Sequence, residues 1–169
     1  MKAAEDIFNC NTVEYLKDLE QVYDYVKNIK QIDSKNIYLF GSSWGGMVAY
    51  NFRRKNDFKS LILHEPTFRW RIENKKRLSG GWEKNGYVIK HSRSKNIDLK
   101  ISYKFFQEGL NYDSSLAILA IKVPLLFIQG KDGGDNTLEE LMRQLINNLK
   151  TQYEIKFLLG ASHSGFNND

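Results

Sequence analysis

The amino-acid sequence predicts an α/β fold in which a short, mostly parallel sheet is flanked by helices and carries a small insertion. Three observations predict it. Short apolar, β-favouring runs recur at residues 37–40, 61–63, 125–129 and 153–159. Segments with helical spacing follow Gly46 and occupy residues 137–150. The first run passes directly into Gly41-Ser42-Ser43-Trp44-Gly45-Gly46, so a glycine-rich turn joins a strand to a helix. A brief apolar run bounded by turn residues suits a strand of a parallel sheet buried on both faces, and its alternation with helices points to βαβ units.

Taken in order, residues 11–30 read as an amphipathic helix, with Val13, Leu16, Leu19, Tyr23, Val26 and Ile29 at helical spacing. Asn11 and Glu14 form a capping-box pattern that supplies partners for the first turn. Asp33-Ser34-Lys35-Asn36 is the turn into the strand that Ile37 opens. After Gly46, the residues Met47, Val48, Ala49, Tyr50 and Phe52 suit a helix. Arg53, Arg54 and Lys55 close it with charge favourable to its macrodipole, and Asn56-Asp57 breaks it. Leu61-Ile62-Leu63 is the second strand, ended by Pro66, and strand–helix–strand at this spacing is a right-handed parallel crossover.

Residues 67–112 depart from the alternation. They are basic, carry Trp70 and Trp82, and contain the breaks Ser79-Gly80-Gly81 and Asn85-Gly86. Residues 87–90 and 99–103 are expected to pair as a hairpin. Asp113 or Ser114 caps a short helix over 116–121, and Lys122-Val123-Pro124 opens the third strand. The loop Gly130 to Asp135 leads into a helix with Leu138, Leu141, Met142, Leu145, Ile146 and Leu149 on one face. The fourth strand ends in Gly160-Ala161-Ser162-His163.

A chain of 169 residues fits one domain, 1–169, large enough to bury a core. Cys10 is the only cysteine, so no intrachain disulfide framework exists. The amino terminus lacks the apolar stretch of a signal peptide, and no apolar run approaches the roughly 20 residues that span a bilayer. A cytoplasmic protein with no membrane partner is the expectation. Residues 53–104 hold 15 Lys and Arg against 5 Asp and Glu. Such a block attracts anions, but a solvated lysine-rich surface accounts for it, and no nucleic-acid partner is expected. No His, Cys and carboxylate cluster has metal-ligand spacing, and no glycine loop suits a phosphate, so no cofactor is expected.

The chemistry concentrates at predicted strand ends. Ser43, at the tip of a sharp turn, is forced into a strained backbone, and Gly41 and Gly45 remove side chains that would collide with the strand and helix. The next helix aims its N-terminus at the serine, where N–H groups can stabilise an oxyanion. Acyl transfer by a serine needs a base, an acid that orients the base, and oxyanion donors. His163 follows the fourth strand and Asp132 the third, where open parallel sheets place their sites. Asp135 is an alternative acid. His64 and His91 have no evident partner.

The strand, Gly-x-Ser-x-Gly and helix around Ser43 resemble the nucleophile elbow of the α/β-hydrolase superfamily. Ser43, then Asp132, then His163 in Gly-x-x-His follow that family's order. The resemblance implies a Ser43 nucleophile, a His163 base, an Asp132 acid and an oxyanion donor at the Trp44 N–H. It alone implies a third candidate acid, Glu65 after the second strand. It implies a cap, here residues 66–123, and hydrolysis of an ester, thioester or peptide-like bond of a small-molecule or peptide acyl substrate through an acyl-serine. Esterase and serine-aminopeptidase members look closest.

The resemblance covers only the carboxyl-terminal half of the family's fold, since 42 residues precede Ser43. The second oxyanion donor, which relatives take from a loop after an earlier strand, has no counterpart, and losing such a donor costs about 100- to 1000-fold in turnover. Ile37, Tyr38, Leu39 and Phe40 become an apolar sheet edge, prone to pairing with a second copy or a partner chain. The alternative expectation is therefore a truncated, inactive hydrolase acting as an interaction module or completed by a partner chain.

Overall fold

The computed structural model describes residues 11–52, 57–68, 78, 80–92, 96–112, 116–131, 145, 147–162 and 165–166. The expected helix over 137–150, the charged close at Arg53, Arg54 and Lys55, and the sites Asp132, Asp135 and His163 lie wholly or largely outside them. The chain divides into two compact units, the first Met1–Asp18 with Phe68–Ser114 and the second Leu19–Thr67 with Ser115–Asp169.

Helix α1 (Thr12–Lys27) starts where the sequence caps it: the Asn11 Oδ1 accepts the Glu14 N–H at 2.9 Å. It ends three residues before the expected Lys30, and Tyr23 anchors it. That ring meets Phe52 edge-on at 5.7 Å, and its hydroxyl donates to the Asp57 carbonyl at 2.9 Å. A 3₁₀ turn (Ser34–Asn36), capped by Asp33, then feeds strand β1 (Tyr38–Ser42).

The second unit is built on a four-stranded sheet. Helix α2 (Trp44–Asn51) follows β1 and precedes β2 (Ser60–His64). The strands β5 (Leu125–Gly130) and β6 (Tyr153–Leu158) complete the order β1-β2-β5-β6, with every pairing parallel. The short apolar runs thus form the parallel sheet that their composition predicts.

One sheet face is dry. Gly41, Leu61, Leu63, Leu125 and Phe127 are buried there. Met47, Val48, Ala49 and Tyr50 of α2 are buried as well, which explains a helix apolar nearly all round. Each large side chain fully buried in this way contributes about 1.5–3 kcal/mol. The Tyr50 hydroxyl donates to the Thr67 carbonyl at 2.8 Å, so the ring is buried without leaving its polar end unsatisfied. On the opposite face, β1 presents Tyr38 and Phe40, which remain 54% and 59% exposed. No described strand pairs with the outer edge of β1.

The first unit holds the expected hairpin. A one-turn helix α3 (Trp82–Asn85) leads into β3 (Tyr87–Ser92), which pairs antiparallel with β4 (Ile97–Ser102). Asn96 turns the hairpin at φ 50°, a conformation its short polar side chain tolerates. Ser102 then caps α4 (Tyr103–Leu110) by accepting the Phe105 N–H at 3.2 Å. Trp82 is 1% exposed, lies 5.2 Å from the Phe106 ring, and donates its indole N–H to the Ile101 carbonyl at 3.1 Å. This aromatic cluster gives the hairpin and α4 a core of their own.

The second unit resumes with α5 (Leu116–Leu119), shorter than the expected 116–121 because Ile121 already turns back to Ile118 at 3.1 Å. Beyond β6, two short segments β7 (Ala161–Ser162) and β8 (Gly165–Phe166) pair antiparallel. No helix among the described residues is long and apolar enough to cross a membrane.

Candidate active site

Two non-glycine residues at neighbouring strand ends hold positive φ: Ser43 after β1, at φ 52°, and Glu65 after β2, at φ 41°. Such conformations cost about 1–3 kcal/mol each and persist only where surrounding structure over-determines them. At Ser43 the surroundings are specific. Its N–H donates to the His64 carbonyl at 2.9 Å. Its carbonyl accepts the N–H groups of Gly46 at 3.0 Å, Met47 at 3.3 Å and Thr67 at 3.0 Å. The end of β2 therefore grips the Ser43 peptide on both sides, while α2 begins at the next residue. The half-buried Ser43 side chain makes no capping bond to that helix.

The turn is tight for identifiable reasons. A Cβ on Gly41 would lie 2.6 Å from the Gly45 carbonyl oxygen and 2.8 Å from the Gly46 Cα. One on Gly46 would lie 2.7 Å from the Pro66 Cβ. Gly45, expected from sequence to make such room, has nothing within 4 Å of a Cβ position. The close approaches are thus at Gly41 and Gly46, because the strand-to-helix turn folds residue 46 against β1 and Pro66 and points residue 45 outward.

Trp44 is the first residue of α2, among the N–H groups of a helix N-terminus that have no partner within their own helix. An anion beside Ser43 would meet that positive potential.

His64 has a partner that sequence reasoning missed. Its Nδ1 shares a hydrogen bond with the Ser42 Oγ at 2.9 Å. The β1–β2 register puts Ser42 directly beside His64, on the same face. Only that pairing could have revealed the contact. His91 likewise pairs across the hairpin, its Nδ1 2.8 Å from the Asp98 Oδ1. This pair is mostly exposed and belongs to the first unit.

Of the candidate acids, Glu65 is described. It is 4% exposed, and its Oε1 accepts the Gly130 N–H at 2.7 Å. Asp132 and Asp135 follow two and five residues after Gly130. The described residues on either side of His163, Ala161–Ser162 and Gly165–Phe166, pair with one another. No group of His, Cys, Asp and Glu suited to a metal ion occurs among the described residues.

The sequence pattern of the prolyl oligopeptidase family matches residues 5–169. No curated protein matches the sequence. Solved structures resemble the fold. DcsB, solved in complex with its substrate analogue, has a TM-score of 0.70 at 13% identity, over 92% of this chain and 67% of its own. The monoacylglycerol lipase of Paleococcus ferrophilus has a TM-score of 0.65 at 18% identity, over 91% and 67%. The α/β hydrolase GrgF of Penicillium sp. sh18 has 0.66 at 14% identity, over 91% and 65%. The chain thus spans about two thirds of the length of each.

Proposed function

Because the chain belongs to the prolyl oligopeptidase family, we propose that it is a serine hydrolase that cleaves an ester, thioester or peptide-like bond through an acyl-serine. In this reading the Ser43 Oγ attacks the substrate carbonyl carbon while His163 takes the hydroxyl proton. The carbonyl oxygen becomes an oxyanion held by the Trp44 N–H. Collapse of the tetrahedral intermediate expels the alcohol, thiol or amine, which receives the proton from His163. Water then repeats the sequence on the acyl-serine and releases the acid. Asp132 orients His163, with Asp135 as the alternative.

The single observation that most supports this reading is the strained Ser43 backbone at φ 52°, held between the β2 end and the start of α2. This is the geometry expected of a nucleophile elbow. Ser42, in contact with His64, lies in regular strand pairing and lacks that presentation. DcsB, whose fold this chain shares, was solved with a substrate analogue, which agrees with a small-molecule substrate.

The test is pre-steady-state hydrolysis of a p-nitrophenyl ester. The expected result is a burst of about one nitrophenolate per chain, lost in Ser43→Ala and His163→Ala and kept in Ser42→Ala. Hydrolysis or a burst that survives Ser43→Ala contradicts the reading.

One observation favours a second reading. Among the described residues, the apolar strand β1 is the outermost strand of its sheet with Tyr38 and Phe40 exposed, in a chain that spans about two thirds of its structural relatives. In that reading the chain alone is inactive, and the edge takes a strand from a second copy or a partner chain. It predicts no burst from the chain alone and a burst from a form extended at its amino terminus.

A further inference from the structure

Among the described residues, Glu65 is a buried carboxyl group with an unusual backbone. The residue before a proline favours extended backbone, yet Glu65 precedes Pro66 and holds φ 41°. It is 4% exposed, and burying a carboxyl group is unfavourable unless it is hydrogen-bonded.

Its bonds follow from the sheet. In the parallel ladder, the Leu61 N–H donates to the Pro124 carbonyl at 3.0 Å, and the Glu65 N–H to the Ile128 carbonyl at 2.9 Å. The even spacing of a parallel ladder places the next rung between the Gly130 N–H and the Glu65 backbone carbonyl. That rung is replaced. The left-handed turn at Glu65 takes β2 out of the sheet, and the Gly130 N–H donates to the Glu65 side-chain Oε1 at 2.7 Å. The same turn lets the His64 carbonyl and the Thr67 N–H grip the Ser43 peptide. Glycine is also the only residue type that fits at position 130, since a Cβ there would lie 2.5 Å from both the Glu65 Oε1 and the Ala161 carbonyl oxygen. One side chain thus ties the strand end that holds Ser43 to the strand end that precedes Asp132, and beside it runs the chain that reaches His163 two residues later.

We propose that Glu65 is a positioning residue of the active site, whose side-chain oxygen replaces a backbone carbonyl at the end of the sheet and fixes Gly130 relative to Ser43. The inference rests on the hydrolase reading for its consequence in activity, but the hydrogen bond itself does not. It separates Glu65 from a triad acid: the requirement is for an acceptor oxygen, not for a negative charge.

The test compares Glu65→Gln, Glu65→Asp and Glu65→Ala with the wild-type chain in two measurements. The first is hydrogen exchange and the chemical shift of the Gly130 amide. The second is the rate of labelling by an organophosphonate. Glutamine offers the same oxygen at the same reach, so it is expected to keep Gly130 protected and to label within about threefold of wild type. Alanine removes the acceptor, and aspartate is one methylene too short. Both are expected to speed Gly130 exchange by about tenfold or more, while Leu126 and Phe127 stay protected, and to slow labelling by about tenfold or more.

Unchanged exchange and labelling in Glu65→Ala would overturn the inference. So would Glu65→Gln labelling as slowly as Glu65→Ala with Gly130 still protected, since that outcome makes the charge the requirement and Glu65 the acid. Should the alanine variant not fold, the glutamine and aspartate variants decide. A wild-type chain that takes no label refutes the hydrolase reading, and Gly130 exchange alone then decides whether the side chain holds the sheet end.

Discussion

At Ser43 the backbone is strained by its surroundings. The glycines around it separate into two that are sterically required and one that is not. Gly41→Ala and Gly46→Ala each place a methyl group under 3.0 Å from backbone or from Pro66. Each is expected to destabilise the chain by about 1–3 kcal/mol in a denaturant titration. Gly45→Ala, an exposed helical position with open space, is expected to leave stability unchanged or raise it by up to about 1 kcal/mol. Equal losses at all three positions would show that the turn is not packed as described. Sequence made Ser43, the turn and the neighbouring strand legible because glycines flank a hydroxyl between two different periodicities. It did not show which glycine does what, because that depends on how Gly46 meets Pro66, a contact between residues 20 apart. The Ser42–His64 contact was hidden for the same reason, since it depends on strand register.

Elements were legible where a local signal acts alone. The Asn11 cap is such a signal, and α1 begins there; α4, which begins at the equally local Ser102 cap, was not read from the sequence because residues 99–103 were taken up by the hairpin pattern. Helix ends were less legible: α1 stops at Lys27 and α2 at Asn51, each short of the expected end, and Tyr23 near the first end packs on Phe52 just past the second. The Asp33 cap makes a pH prediction. Its carboxyl is held below the ordinary 3.8 by the Lys35 backbone N–H first and the Asn36 side chain second. A depressed carboxylate contributes stability that is present above its unfolded-state value and is lost as pH falls through the folded-state value. An NMR titration is expected to place the Asp33 midpoint below 3.8, and Asp33→Asn to remove that acid step. A midpoint at or above 3.8 contradicts the cap. In the hairpin unit, Trp82 supplies the core that periodicity could not reveal, because its partners Ile101 and Phe106 come from β4 and α4. Trp82→Ala is expected to cost this unit about 3–5 kcal/mol, measured as loss of amide protection along β3 and β4.

The parallel order β1-β2-β5-β6 brings the ends of its strands to one side, where the end of β2 holds the Ser43 peptide and Glu65 holds Gly130. Each predicted strand ends in a polar turn, which is why the sequence pointed to this side of the sheet for chemistry. The alternation of apolar runs and helices carried the fold class. The expectation that residues 37–40 form an apolar edge came from the resemblance and not from that alternation, and among the described strands β1 is the outermost of its sheet. The reading of the chain as a hydrolase depends on the hydroxyl at one strand end being the reacting group. The direct measurement is to treat the chain with a fluorophosphonate, digest it and locate the adduct by mass spectrometry. The account predicts a single adduct on Ser43, absent from Ser43→Ala. An adduct on Ser42, or none on the folded chain, contradicts it.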